Sequence, residues 1–173
     1  MTCPSCGAPM RLQDGRECLT CEYCKTEYFP EKNEDGVRVL GEPTSLNCPA
    51  CATPLVHASI DRHRIQYCTK CRGAMLSMEV FTYVVQDMRA QRDGAAELVH
   101  PPDPRELRRR LNCPQCKHPM DTHYYAGGGN VVIDDCSRCG LVWLDSGELM
   151  TIIRAPDYSS EFDPLVRNPY PLN

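Results

Sequence analysis

The chain has 173 residues, of which thirteen are cysteine and fifteen are proline, and it contains only three phenylalanines and one tryptophan. This composition argues against one ordinary hydrophobic core, and segments of about 40 residues usually need metals, disulfides or partners to fold. The formal net charge is −4, and three divalent ions held by thiolates would lower it to about −10. This acidity weighs against nonspecific nucleic-acid binding, because phosphate contacts dominate that affinity.

The use of cysteine and the start of the chain indicate metal binding rather than a disulfide scaffold. Small disulfide-rich folds belong to secreted chains, but Cys3 follows Met1 so closely that we expect no export signal. No stretch approaches the roughly 18 apolar residues of a membrane span. We therefore expect a cytoplasmic metal-binding protein that does not interact with a membrane.

Three internal repeats each contain two Cys-x-x-Cys pairs. Each repeat opens with Cys-Pro-x-Cys-x-x-Pro and then Met or Leu, at Cys3, Cys48 and Cys113. Four thiolates that converge from two such turns form a tetrahedral metal site. The expected metal ligands are Cys3, Cys6, Cys21, Cys24, Cys48, Cys51, Cys68, Cys71, Cys113, Cys116, Cys136 and Cys139.

A β-hairpin is predicted between the two cysteine pairs of each repeat. The first turns at Asp14-Gly15, the second near Asp61 to His63, and the third over Gly127 to Asn130. Two cysteine turns joined by a small antiparallel sheet form a zinc ribbon. The predicted fold class is small, metal-stabilised and mainly β with short helices, built from three tandem four-cysteine zinc ribbons.

An amphipathic helix is predicted after the second repeat. Ser77 is its expected N-cap, and the helix should end near Gly94. Its apolar stripe, spaced i, i+3, i+4, i+7, consists of Phe81, Val84, Val85 and Met88. We expect this stripe to pack on a neighbouring ribbon or on another molecule, so its members are candidate partner-binding residues.

A second helix is predicted after the third repeat, through residues 149–153. Asp145 followed by Glu148 is the pattern of a capping box, in which each side chain bonds to the backbone of the other residue. Capping explains this carboxylate pair better than acid–base catalysis does. No other catalytic constellation stands out, and we expect no enzymatic activity.

The linker between the second and third repeats contains the densest basic cluster. Asp103-Pro104-Arg105-Glu106 predicts the start of a two-turn helix through Leu107 to Leu111. The candidate partner-binding residues here are Arg105, Arg108, Arg109 and Arg110. Two interpretations remain open, a solvated helix face and a patch that binds phosphate or acidic groups.

The repeats divide the chain into five predicted segments. They are zinc ribbon 1 (1–44), zinc ribbon 2 with the amphipathic helix (45–94), the linker with a short basic helix (95–111), zinc ribbon 3 (112–155) and a proline-rich tail (156–173). The tail has no periodicity, and we expect it to lie on the surface or to be disordered.

The third repeat resembles the transcription factor IIB-type zinc-ribbon family of short prokaryotic proteins. That family reads Cys-Pro-x-Cys, a hairpin, and then Cys-x-x-Cys-Gly-x-x-Trp-Leu-Asp-x-Gly-Glu-Leu, which the chain matches from Cys136 to Leu149. The resemblance covers about a quarter of the chain. It implies zinc at the four cysteines of this repeat and, by looser similarity, at the other two sets. The second repeat has Met75 in place of Trp143 and Ser77 in place of Asp145.

Cys18 is the one cysteine outside the ligand sets. It aligns with Ile65 and Ile133 of the other repeats, which indicates a small buried side chain on the inner face of a strand. Two alternatives are that it replaces Cys24 as a ligand or that it is a reactive thiol.

The four-cysteine sites indicate structural zinc, because a complete coordination sphere leaves no position for water or substrate. We expect three zinc ions, with iron as the main alternative, since tetrahedral sulfur sites also suit one-iron electron carriers. The predicted function is a non-enzymatic zinc-binding scaffold for a macromolecular partner, with protein favoured over nucleic acid because of the acidity. The alternatives are a nucleic-acid- or polymerase-associated transcription regulator and a redox or metal sensor. The sequence leaves the partner and the oligomeric state open.

Overall fold

The computed structural model of the protein describes residues 1–13, 16–93, 97, 101 and 104–157. The strands are β1 (Met10–Leu12), β2 (Leu19–Cys21), β3 (Glu27–Tyr28), β4 (Arg38–Asn47), β5 (Pro54–Ile60), β6 (His63–Tyr67), β7 (Ala74–Ser77), β8 (Asp121–Tyr124), β9 (Val132–Cys136) and β10 (Leu141–Leu144). The helices are α1 (Met78–Ala90) and α2 (Glu148–Arg154), and one 3-10 turn covers Glu106–Arg108. The turn at 14–15, Gly94, Asp103 and the tail after 157 lie outside the described residues. Helix α1, which was predicted to end near Gly94, ends at Ala90. The predicted class, three zinc ribbons that are mainly β with short helices, is confirmed.

The three predicted hairpins are present as antiparallel strand pairs. They are β1 with β2, β5 with β6, and β8 with β9. In the second hairpin, Asp61 and Arg62 have φ angles of 42° and 68° and connect Ile60 to its partner His63. Positive φ at both central residues is the geometry of a type I′ turn, which matches the twist of the flanking strands.

Ribbon 1 has its own three-stranded sheet, in the order β1-β2-β3. Its buried core is small and consists of Cys3, Met10, Leu19 and Cys21. Two of these four residues are metal-ligand cysteines, so this ribbon has little apolar surface with which to stabilise itself. A module of this size depends on its metal for folding.

Ribbons 2 and 3 share one seven-stranded sheet, in the order β4-β5-β6-β7-β10-β9-β8. The two halves meet where β7 pairs antiparallel with β10, and Met75 lies opposite Trp143. These two residues occupy equivalent positions in their repeats. The order β5-β6-β7 is therefore reversed as β10-β9-β8 across the central strand pair, so the two ribbons are related by an approximate twofold arrangement.

The shared sheet is apolar on both faces, because its central strands are covered on both sides. On one face, Leu76 and Val142 pack with the two helices. On the other face, Met75 and Trp143 pack between the cysteine sets of ribbons 2 and 3. Successive residues of a strand point to opposite faces, and this alternation places the helices on one side and both cysteine sets on the other.

Trp143 is fully buried in the middle of the sheet, and a glycine of the other ribbon makes room for it. A Cβ atom on Gly73 would lie 2.2 Å from Cζ2 of the Trp143 ring. The Gly73 carbonyl also accepts a hydrogen bond from the N–H of Cys68 at 2.9 Å, which fixes the backbone there. The backbone at Gly73 therefore cannot move away from the ring without disturbing a metal-ligand turn.

Substituting Gly73 with alanine should destabilise the zinc-loaded protein by about 2–3 kcal/mol, the cost of overpacking a rigid core. Chemical denaturation of the parent and the variant measures this cost. Trp143→Leu serves as the matched background, because a smaller side chain leaves room for the added methyl group. In that background we expect the cost of Gly73→Ala to fall below about 1 kcal/mol. An equal cost in both backgrounds would show that the clash is not the cause.

Helix α1 begins as predicted, since the Ser77 hydroxyl accepts a hydrogen bond from the N–H of Val80 at 3.2 Å. Its apolar stripe is interior: the exposed fractions of Phe81, Val84 and Val85 are 3%, 0% and 6%. Met88 packs against the same cluster, which includes Ile152 of α2. The prediction that these four residues bind a partner is therefore wrong, because β6 and β7 of ribbon 2 together with β10 and α2 of ribbon 3 supply the apolar surface that covers them.

The linker forms a single 3-10 turn rather than the predicted two-turn helix, so that prediction is also wrong. Arg109 follows the turn in an extended conformation, with φ −63° and ψ 147°. The chain then runs beside ribbon 3, where the Leu111 carbonyl accepts a hydrogen bond from the N–H of Met120 at 2.8 Å. No helix in the described ranges has the length and apolar character needed to cross a membrane.

Candidate metal centres

Each ribbon brings its four predicted cysteines together, with all Sγ atoms within 4.8 Å of one another. The three sets are Cys3, Cys6, Cys21 and Cys24; Cys48, Cys51, Cys68 and Cys71; and Cys113, Cys116, Cys136 and Cys139. Sulfur–sulfur distances of 3.4 Å for Cys51–Cys68 and 3.6 Å for Cys116–Cys136 are typical of the sets. A tetrahedral zinc site with bonds of about 2.3 Å has sulfur–sulfur edges of about 3.8 Å. The sulfur geometry therefore fits zinc.

All six cysteine pairs adopt the same turn, in which the residue after the second cysteine has a positive φ. These residues are Gly7, Lys25, Ala52, Arg72, Lys117 and Gly140, with φ between 59° and 74°. In this conformation the N–H of Ala52 bonds to the carbonyl of Cys48 at 2.9 Å, and that of Lys117 to Cys113 at 2.8 Å. The left-handed conformation costs non-glycine residues roughly 1–2 kcal/mol. Because only two of the six residues are glycine, this turn geometry was not evident from the sequence.

Backbone and hydroxyl groups surround the sulfurs with hydrogen-bond donors. The N–H of Cys51 points at the Cys48 Sγ at 3.4 Å, and that of Cys71 at the Cys68 Sγ at 3.5 Å. The Thr26 hydroxyl lies 3.0 Å from the Cys24 Sγ. Hydrogen bonds of this kind favour the thiolate, which is the form that binds metal.

The cysteine pKa values show why four thiolates need a cation between them. In ribbon 3, a hydrogen bond from the backbone of His118 lowers the pKa of Cys116 to about 6. Burial, followed by the neighbouring sulfurs, raises the pKa of Cys139 to about 12. Four such close groups do not all lose their protons without a positive charge, and a divalent ion supplies it.

The three sites differ in exposure. In ribbon 1, Cys6 and Cys24 are exposed, whereas every cysteine of the other two sets is buried or half-buried. The sites of ribbons 2 and 3 also share one apolar cluster, which contains cysteines of both sets together with Leu55, Met120 and Trp143. The sulfurs of ribbon 1 are therefore the most accessible to chelators and oxidants.

An ionic network connects the linker to ribbon 3. The Arg109 guanidinium donates to the carboxylates of Asp134, which is fully buried, and of Asp145. Asp134 also accepts a hydrogen bond of 2.5 Å from the hydroxyl of Thr122. The charge of Arg109 is therefore paired within the chain, and partner binding by Arg109 stays a prediction. Arg105, Arg108 and Arg110 are exposed, and partner binding by these three residues also stays a prediction.

The predicted capping box is only half correct. The Glu148 carboxylate accepts a hydrogen bond of 2.6 Å from the N–H of Asp145. The Asp145 carboxylate does not cap α2; it accepts hydrogen bonds from Arg109 and, at 3.0 Å, from Nε1 of Trp143. Gly147, with φ 86°, occupies the N-cap position instead. Through these hydrogen bonds, the Trp-Leu-Asp-x-Gly-Glu motif connects the tryptophan, the linker and α2.

Burial raises the pKa of Glu148 to about 8, and the nearby Asp145 carboxylate contributes to this rise. In the unfolded chain a glutamate has a pKa of about 4.3. The folded protein therefore binds this proton more tightly than the unfolded chain does. The resulting stabilisation is complete below about pH 4 and is lost as the pH rises through 8.

Replacing Glu148 with glutamine, which still accepts a hydrogen bond from Asp145, should remove this pH dependence. Relative to the parent, the variant should gain about 2 kcal/mol of stability between pH 6 and pH 8. Denaturation of both zinc-loaded proteins at the two pH values measures the gain. The linkage between thiolates and metal is common to both proteins and cancels in the difference. A constant difference at the two pH values would contradict the prediction.

Cys18 is buried, with an exposed fraction of 1%, and it lies outside the ligand sets. The predicted burial of Cys18 is confirmed, but Cys18 lies in a bend just before β2 rather than in a strand. Cys24 rather than Cys18 completes the first set. A thiol this deeply buried has little access to solvent oxidants.

The comparisons with known proteins concern one of the three ribbons. No curated protein and no solved structure gave a match to the chain. Residues 112–155 match the family model of the transcription factor zinc-finger, the TFIIB-type zinc ribbon. This range coincides with the ribbon whose sequence resembles that family. The third ribbon is thus a zinc ribbon of the transcription factor IIB type.

Proposed function

We propose that the protein is a non-enzymatic cytoplasmic scaffold that holds three structural zinc ions and binds a protein partner. Each four-sulfur set completes a tetrahedral coordination sphere, so the metal has no open position for catalysis. Thirteen cysteines without a disulfide bond also suit a reducing compartment. The shared sheet of ribbons 2 and 3 acts as the platform, and ribbon 1 presents the binding surface.

The observation that carries this proposal is the exposure of Tyr23. Its exposed fraction is 82%, and it lies between Cys21 and Cys24 at the tip of the second cysteine turn. The equivalent residues of ribbons 2 and 3 are the cations Lys70 and Arg138. Exposed aromatic side chains are preferred anchors of protein interfaces, because they bury a large area at low entropic cost.

Ribbon 1 as a whole is rich in exposed apolar side chains. Within the described ranges six large apolar residues are exposed, and three of them, Met1, Tyr23 and Phe29, belong to this small ribbon. Hydrogen bonds attach the ribbon to the platform, from Arg64 to the carbonyl of Gln13 at 2.7 Å and from Leu12 to Glu42 at 3.0 Å. This attachment holds the ribbon against the platform without covering Tyr23.

The test is capture of partners by the zinc-loaded chain from its own cell extract after nuclease treatment. Tyr23→Ser should reduce the recovery of the captured protein at least about tenfold. Tyr124→Ser is the matched control, because Tyr124 is an exposed tyrosine of ribbon 3 with an exposed fraction of 43%. Zinc content should be unchanged in both variants. Recovery that depends on nucleic acid, or that is equal for both variants, would overturn the proposal.

A nucleic-acid-binding regulator is the second candidate, favoured by the cations around ribbon 3. Its two cysteine turns contain no acidic residue, and Nε2 of His118 lies 3.1 Å from the Arg138 guanidinium. Arg108 and Arg110 are exposed in the adjoining linker. This candidate predicts steep salt dependence, with Arg108→Ala and Arg110→Ala each lowering the salt slope by about one. Exposed Arg11→Ala in ribbon 1 is the control.

A further inference from the structure

Ribbons 2 and 3 present equivalent rows of side chains on the face of the shared sheet that carries the cysteine sites. In ribbon 2 the row is His57, Gln66 and Met75, and in ribbon 3 it is Thr122, Asp134 and Trp143. Met75 and Trp143 pair across the centre, so the two rows form one line over six strands. Each residue can therefore be compared with its counterpart in the same molecule.

In ribbon 3 an arginine from the linker occupies the space beside this row. The Arg109 guanidinium bonds to Asp134 and Asp145, and the Arg109 carbonyl accepts a hydrogen bond of 3.3 Å from the Thr122 hydroxyl. Two carboxylates and one guanidinium balance to one negative charge. The space is filled, and the two carboxylates share the one guanidinium.

In ribbon 2 the corresponding space is a cavity of about 230 Å³. Its wall includes Gln66 and Ser77, the counterparts of Asp134 and Asp145, together with His57 and Arg64. The position of Arg109 is taken by Thr44, whose hydroxyl bonds locally to the N–H of Leu46 at 3.1 Å. The ribbon 2 cavity thus lacks the arginine that fills the ribbon 3 space.

The charges around the cavity are inverted relative to ribbon 3. Both carboxylates are replaced by the neutral Gln66 and Ser77, and Val132 of ribbon 3 is replaced by Arg64. Ser77 is also the N-cap of α1, a helix of 13 residues, whose N-terminus carries a partial positive charge. The buried Oε1 of Gln66, an acceptor, has no hydrogen-bond partner in the described part of the chain. Rotation of the amide by 180° therefore breaks no hydrogen bond of Oε1 and brings the NH2 donor to that position.

We propose that this cavity binds the carboxylate of an aspartate or glutamate side chain from a protein partner. The hydroxyl of Ser77, the amide of Gln66 and the imidazole of His57 are the hydrogen-bond donors, and Arg64 with the α1 N-terminus supplies the positive field. Where ribbon 3 holds a cation from its own linker, ribbon 2 takes an anion from outside. This inference rests on the proposed function in that the partner is a protein.

The experiment is an NMR titration of the zinc-loaded, isotope-labelled full chain with N-acetylglutamate amide. We expect saturable shifts at Gln66, Ser77 and the first turn of α1, and about tenfold or more weaker binding of the neutral probe N-acetylglutamine amide. Ser77→Asp should abolish the response while preserving the helix, because aspartate is an equally good N-cap. Ser146→Asp is the control, since it adds the same charge at an exposed position of ribbon 3.

Three results would overturn the carboxylate site. They are no saturable shift with the glutamate probe, equal binding of the two probes, and tighter binding of inorganic phosphate or N-acetylarginine amide at the same residues. Failure of the proposed function gives a different result. If the cavity binds the glutamate probe but no protein is captured after nuclease treatment, the proposal of a protein partner is wrong. If Ser77→Asp leaves capture by the Tyr23 surface unchanged, the cavity is not part of that interface.

Discussion

Replacing Arg109 with alanine should lower the free energy of unfolding of the zinc-loaded protein by about 3–5 kcal/mol. The reason is the charge that remains. Asp134 is fully buried and accepts hydrogen bonds from Arg109 and Thr122, so without the guanidinium it keeps a carboxylate in the interior with one donor only. An unpaired buried charge costs far more than the loss of an exposed ion pair.

Chemical denaturation with constant zinc measures this effect, and two variants separate its causes. Arg108→Ala removes an adjacent exposed arginine and should change stability by less than about 0.5 kcal/mol. Combining Arg109→Ala with Asp134→Asn should recover much of the loss, because the buried group is then neutral, as Gln66 is in ribbon 2. The ionic explanation would be contradicted if Arg109→Ala lowered the free energy of unfolding by less than about 1 kcal/mol, or if the double variant were no more stable than Arg109→Ala alone.

The metal sites were predictable from the sequence because the residues that form each site lie close together in the chain. Two cysteines separated by two residues lie in one turn, and a hairpin brings two such turns together. The Ser77 cap was predictable for the same reason, since it bonds to Val80 only three residues away. The half-correct box at Asp145 shows the limit. Its carboxylate accepts hydrogen bonds from Trp143 and Arg109 instead of capping α2, and Arg109 is 36 residues distant in the chain.

The pairing of β7 with β10 depends on contacts that no short pattern contains. The stripe of Phe81 and its neighbours shows that one face of α1 must be covered, but helical periodicity does not say by what. The covering surface consists of β6 and β7 of the same ribbon together with β10 and α2, which belong to the third repeat. The role of Gly73 is hidden in the same way, because its missing side chain makes space for Trp143 of another repeat.

The shared sheet divides the three metal sites into two classes with different expected responses to metal loss. The metal site of ribbon 1 (site 1) lies next to a small separate core, and Cys6 is one of its exposed ligands. Sites 2 and 3 face a common apolar cluster around Trp143. A structural zinc ion contributes about 10–16 kcal/mol of apparent folding free energy in small domains. Loss of one ion should therefore unfold the ribbon that binds it and any ribbon that depends on the same apolar core.

Cys6→Ser should therefore remove one zinc ion and unfold ribbon 1 alone, leaving the spectrum of the seven-stranded sheet intact. Cys116→Ser, at the equivalent position of ribbon 3, should remove more than one zinc ion. The reason is that unfolding of ribbon 3 exposes Met75 and the helix stripe of ribbon 2. Zinc content by elemental analysis and amide spectra of both variants report the outcome. If Cys116→Ser loses only one ion and keeps native ribbon 2 signals, ribbons 2 and 3 fold independently despite their common sheet. Loss of two ions would show that ribbons 2 and 3 fold as one cooperative unit and ribbon 1 folds separately.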